Sequence, residues 1–136
     1  MWTREQKPGN AGYKPAAGYN PAPQRISPFL ISFAVTSIFF FNFCNLIFGC
    51  GCRALWAGAD AACNIHAMHG RHCPWCSHGY AGYAIVMTLI TGPQLAIALL
   101  TRWSWLQRTA ACLALFPLAG GAVAVLFGWL DKYWSA

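Results

Sequence analysis

The sequence predicts an all-α membrane protein, with three transmembrane helices and a Cys/His-rich loop between the first and second. Three observations carry that prediction. The chain is 57% hydrophobic and only 9% charged, whereas a soluble domain carries about 25% charged residues. Its apolar residues gather into three runs long enough for a helix to cross a bilayer, which takes roughly 20 residues. Tryptophans stand at the ends of those runs (Trp56, Trp103, Trp105, Trp129 and Trp134), where an amphipathic indole prefers the headgroup region.

Residues 1–27 come first, a Gly/Pro/Tyr-rich tail containing the short repeat "AGYKPA", "AGYNPA". Such a composition buries too little apolar surface to fold alone, and the tail is expected to be extended unless a partner holds it. Residues 28–136 form the membrane domain, with spans at about 28–48, 80–100 and 110–130. None of the three runs contains Asp, Glu, Lys, Arg or His. Asn42, Asn45 and Gln94 are polar groups that would seek partners away from lipid. Pro93 removes one hydrogen bond from the middle of the second span, and "LAGGA" after Pro117 offers a smooth face for close helix approach.

The net charge of +6 does not read as a nucleic-acid surface, because the basic residues flank the spans instead of clustering. Arg4, Lys7, Lys14 and Arg25 precede the first span, and Arg102 and Arg108 separate the second from the third. Arg53, Arg71 and Lys132 fall on the other side. The positive-inside rule therefore sets the N-terminus inside and the Cys/His loop outside, with a bacterial inner membrane as the expected location. No cleavable leader is expected; the first span acts as its own signal anchor. Spans without an ionisable residue leave a proton relay or ion pump nothing to run on.

The chemistry gathers in the loop at residues 49–79. "CNIHAMHGRHCPWCSHG", Cys63 to Gly79, holds all four histidines and three of the seven cysteines. From Arg53 to His69 the residues suit a short helix on the membrane surface, stopped at Gly70, with Ser77 capping the second span. On that helix Cys63 and His66 share a face. With Cys73 and Cys76 they read as C-x2-H-x6-C-x2-C, two chelating pairs suited to tetrahedral zinc. His69, His72 and His78 remain as outer partners or as ligands for copper, the less favoured metal. Two other readings stand beside this one. Static disulfides would staple a loop that lacks a core of its own. Alternatively, Cys73 and Cys76 form a redox pair, its thiolate favoured by a helix N-terminus, with Cys63 or the Cys50/Cys52 pair in exchange. Cys44 and Cys112 fall within spans and read as small apolar residues.

The stretch resembles the signature of a bacterial family of small three-span membrane proteins of unknown function. That family carries a cysteine, often a histidine three residues on, then "TG-x-x-C-P-x-C-G-x-T-R" leading into a span. Cys63, His66, Gly70, Cys73, Pro74 and Cys76 match in register. His69 and Ser77 depart from it, and the Thr-Arg pair is replaced. The resemblance implies the cysteine framework and the membrane layout, and it supplies no reaction. The expectation is a small accessory subunit of a larger membrane protein complex, its Cys/His knuckle locked by zinc or disulfides. Its partners would be other membrane subunits and the lipid bilayer, with no nucleic acid. The chain is more plausibly no enzyme; the alternatives are a thiol–disulfide oxidoreductase and a copper- or zinc-handling protein.

Overall fold

The computed structural model describes residues 22–135, and these are helical, with no strand among them. Three long helices account for most of the chain: α1 (Ala22–Phe48), α3 (Gly79–Leu100) and α4 (Trp105–Leu130). A single turn, α2 (Pro74–Ser77), precedes α3, and two isolated 3-10 turns (Leu55–Ala57 and Asn64–His66) lie in the loop before it. Each long helix contains a segment able to span a membrane by length and composition: Arg25–Phe48, Gly79–Leu100 and Trp105–Leu130. The tail expected over residues 1–27 lies outside the described residues up to position 21, and its last six residues belong to α1.

The third helix starts five residues before the expected span. Ser104 caps it with a full capping box: its hydroxyl accepts from the Gln107 backbone, and the Gln107 side chain accepts from the Ser104 N–H. That pairing satisfies two of the orphan groups at a helix start. The extension also brings Arg108 into the helix, buried at 1% exposure, with its Nε–H donating to the Trp103 carbonyl at 2.8 Å. The membrane-capable helix thus carries a charge near its N-terminal end, ahead of the uncharged run at residues 110–130.

Glycine and one glutamine decide how closely the helices pack. A Cβ at Gly120 would sit 2.7 Å from Cε1 of Phe43, so α4 approaches α1 where only glycine fits. Phe43 and Phe116 pack at a tilt beside it, with centroids 5.0 Å apart. In the middle of the bundle the Gln94 amide of α3 donates to the Thr36 hydroxyl of α1 and to the Cys112 carbonyl of α4, both at 3.1 Å. One buried amide therefore ties all three long helices together, the use expected of a polar residue among lipid-facing helices. α3 runs unbroken through Pro93, and α4 through Pro117.

Four residues join α3 to α4, and the segment after α4 comes back to the end of α1, where the loop begins. There Tyr133 Oη donates to the Phe48 carbonyl at 2.6 Å, and Arg71 Nη1 donates to the Tyr133 carbonyl at 2.9 Å. Trp134 stacks on Phe48 and lies against Gly128. This end holds every cysteine except Cys112.

Candidate metal centre

The cysteine end is built by a sharp reversal after α1. Gly49 and Gly51 take positive φ, +59° and +85°, which glycine adopts without steric cost. The Asn45 side-chain carbonyl accepts from Gly51 N at 2.7 Å, so one polar residue of the first span satisfies the turn that follows it. A Cβ at Gly51 would lie 2.5 Å from the Ala62 carbonyl oxygen, so the two strands of the loop close on each other there. The reversal folds Cys50 and Cys52 back beneath Cys44, which projects from the last turns of α1.

The second half of the loop returns the other cysteines to the same place. Asn64 N donates to the Cys50 carbonyl at 2.7 Å. The Asn64 side chain accepts from Cys73 N at 2.8 Å and donates to the Arg71 carbonyl at 2.7 Å. Asn64 thus clamps Cys63, its chain neighbour, next to Cys73. Pro74 opens α2 at its first turn, where its missing N–H is not needed. The turn sets Cys73 and Cys76 three residues apart, both reaching the cluster. Tyr83 of α3 donates to the Asp60 carboxylate at 2.8 Å and fastens the loop to the bundle.

Six sulfurs converge as a result: Cys44, Cys50, Cys52, Cys63, Cys73 and Cys76, each at most 3% exposed. Sγ atoms stand 3.2 Å apart for Cys44 and Cys73, 3.3 Å for Cys50 and Cys52, and 3.6 Å for both Cys44–Cys50 and Cys52–Cys76. Triads with all three sulfurs within 4.8 Å of one another include Cys44/Cys50/Cys73, Cys44/Cys52/Cys76, Cys50/Cys52/Cys63 and Cys63/Cys73/Cys76, and the same pair distances close the four triads that lie between them. Three pairs share no triad (Cys44 with Cys63, Cys50 with Cys76, Cys52 with Cys73), and every other pair does. These contacts have the connectivity of an octahedron.

Aromatic rings enclose the sulfurs on the membrane side. Trp75 is fully buried and stacks on Phe40 with centroids 5.2 Å apart, and Phe48 meets it edge-on at 5.8 Å. Burial pushes the Cys63 thiol up to about 11. Contacts from Cys44, Cys52 and Cys73 act the other way on Cys76 and hold it well below the ordinary thiol range. Thiols packed this closely compete for protons, and a soft cation that binds thiolate displaces them.

Of the four residues in the expected zinc set, Cys63, Cys73 and Cys76 form one triad. His66 does not join them: its ring is exposed, and Nε2 lies 3.1 Å from the Asp60 carbonyl oxygen. The reason is local. The expected helix over residues 53–69 is replaced by two isolated 3-10 turns, so the three-residue spacing no longer sets Cys63 and His66 on one face. Cys63 caps the second of these turns and points inward, while His66 ends it and points out. His69, His72 and His78 are likewise exposed, with His72 Nε2 3.2 Å from the Ala67 carbonyl and His78 paired with Asp131 at 3.4 Å. Ser77 does not cap α3; its hydroxyl turns back to the Pro74 carbonyl at 3.1 Å. No disulfide joins any of the cysteines. Cys44, read from sequence as a small apolar residue, is a full member of the cluster. Its signal was its place one turn before the end of the span. Cys112 alone fits that apolar reading, its thiol donating to the Gln94 carbonyl at 3.3 Å.

Comparison with protein-family models, curated proteins and solved structures finds no match.

Proposed function

We propose that this chain is an integral membrane protein that holds thiophilic metal ions in a six-cysteine centre at one face of the bilayer. The observation that carries the reading is the convergence of six buried thiols within metal-ligand distance of one another. Thiolate ligands select soft or borderline cations, copper(I) and zinc above all. In a loop with no apolar core of its own, such a centre also locks the loop onto the bundle.

The accessory-subunit reading keeps its support beside this. Only 22–28% of each span is buried within the chain, which leaves broad faces for lipid or for other subunits. One face carries a hollow of about 290 Å³ lined by Phe39, Asn42, Phe43, Leu46 and Phe116. The amide of Asn42 in that apolar hollow is the kind of group that a neighbouring helix satisfies. A thiol oxidoreductase is less well supported. Cys73, the expected attacking thiol, is completely buried, whereas exchange needs an accessible thiolate. The charge distribution favours an inside N-terminus and an outward cysteine end.

Metal analysis of the chain purified gently in detergent, with a count of alkylatable thiols on the same sample, tests the reading. Bound zinc or copper with the six cluster thiols protected from alkylation is the expected result. A metal-free protein with Cys73 and Cys76 oxidised to a readily reduced disulfide would replace it with the oxidoreductase.

A further inference from the structure

Four alternate faces of this octahedron, Cys44/Cys50/Cys73, Cys44/Cys52/Cys76, Cys50/Cys52/Cys63 and Cys63/Cys73/Cys76, have a further property: any two of them share one sulfur, and each sulfur belongs to two of the four. Cys44 links Cys44/Cys50/Cys73 to Cys44/Cys52/Cys76, Cys63 links the other two, and the remaining four cysteines link the mixed pairs. If each triad holds one ion, the ions form a tetrahedron and the sulfurs lie one on each of its edges. We propose that the centre is built for four copper(I) ions, each bound by three thiolates, with every thiolate bridging two ions. This rests on the metal-centre reading and specifies its cargo.

Geometry separates copper(I) from its rivals. Zinc in a structural site takes four ligands in a tetrahedron, and the sulfur sets here close at three members. Copper(I) is a soft ion with no ligand-field preference and is satisfied by three thiolates. Three sulfurs about 2.3 Å from one ion lie about 4.0 Å from each other. The closest sulfurs here, at 3.2–3.6 Å, reach that spacing by opening about 0.4–0.8 Å. An iron–sulfur cluster needs room for iron and inorganic sulfide between its cysteines, and sulfurs already in contact leave none.

Charge and solvation point the same way. Uptake of four Cu⁺ by six thiols releases six protons, breaks six S–H bonds and forms twelve Cu–S bonds, and no electron changes hands. Four positive charges against six negative leave a residual charge of only minus two in a buried site. A single divalent ion would leave either more buried thiolate charge or thiols that bind nothing, and uncompensated buried charge is costly. The shell of Phe40, Phe48 and Trp75 keeps water away, which protects copper(I) from oxidation and disproportionation.

The test uses the full chain in detergent, reduced and handled without oxygen. It is titrated with copper(I) alone against a chelator of known affinity and, in parallel, with zinc. The expected result is saturation at four copper ions per chain, reached cooperatively, with the orange luminescence of a water-shielded copper(I)–thiolate cage. X-ray absorption should find three sulfur neighbours per copper. Cys112→Ser, outside the cluster, should keep all of this. Cys44→Ser should lower the stoichiometry and quench the luminescence, with helicity by circular dichroism confirming that the bundle is intact. Saturation at any other number of copper ions, or an unchanged stoichiometry in Cys44→Ser, overturns the cage. If zinc binds at one per chain while copper(I) fails to reach four, the metal centre stands and the cage falls. If neither ion binds, both fall.

Discussion

Cys63 and His66 are three residues apart, yet the thiol is buried at 3% exposure and the imidazole faces solvent. Ligand choice at this site is made by the direction of each side chain, and spacing along the chain is a poor guide to it. Replacing His66 with Ala should therefore leave metal stoichiometry unchanged, since its ring is exposed and bonds the Asp60 carbonyl instead of joining the sulfurs. Replacing Cys52, which was not in the expected zinc set, should lower it, because its sulfur lies within 4.8 Å of those of Cys44, Cys50, Cys63 and Cys76. Metal counting on the two variants side by side checks both. A loss of bound metal in His66→Ala would restore the Cys/His knuckle. Asn64 acts at the same scale. Its amide holds Cys73 N and the Arg71 carbonyl, and outer partners of this kind are worth about 10–100-fold in metal affinity. Asn64→Ala should show a loss in that range by chelator competition.

Among the helices, contact between α1 and α4 depends on the absence of a side chain at Gly120. Leu at this position would drive carbon atoms into the Phe43 ring, 2.7 Å from where a Cβ begins. Overpacking of that kind costs about 1–3 kcal/mol. Gly121, with nothing within 4 Å of its Cβ position, is the control, and Gly121→Ala should be nearly neutral. Thermal unfolding in detergent should separate the two variants, with Gly120→Leu the less stable. Equal stability would mean that α4 does not approach α1 as described. Gln94 belongs to the same level, since its two donated bonds cross between helices. Interhelical bonds of this type contribute about 0.6 kcal/mol on average, so Gln94 sets register more than it adds stability.

Seen as a whole, the molecule is a three-helix bundle with one end closed by its own loop and C-terminal segment. Tyr133 and Trp134 cover Phe48, and Arg71 reaches from the loop to the Tyr133 carbonyl. This closure shields the sulfurs although they lie at the edge of the membrane span. Removing residues 131–136 should leave three membrane helices but uncover the cysteine end. The metal-free truncated chain should react with a thiol reagent markedly faster than the intact chain, as followed by mass spectrometry. An unchanged rate would show that the loop alone protects the centre.

The sequence by itself determined the membrane spans, because a run of about 20 apolar residues has few alternatives in water. It determined the presence of concentrated cysteine and histidine chemistry in one loop, while the early start of α4 at the Ser104 capping box was not read from it. The tertiary structure alone decided which of those residues meet. Cys44 and Cys73 are 29 residues apart and their sulfurs lie 3.2 Å from each other. That contact exists because Gly49 and Gly51 reverse the chain and Asn64 clamps the returning segment. The histidines, as prominent in the sequence as the cysteines, were left at the surface. Spacing predicts a shared face only where the backbone keeps a regular period, and between Arg53 and His72 this chain keeps none. A thiol also loses little on leaving water and gains by burial, whereas an imidazole without a buried partner stays in it.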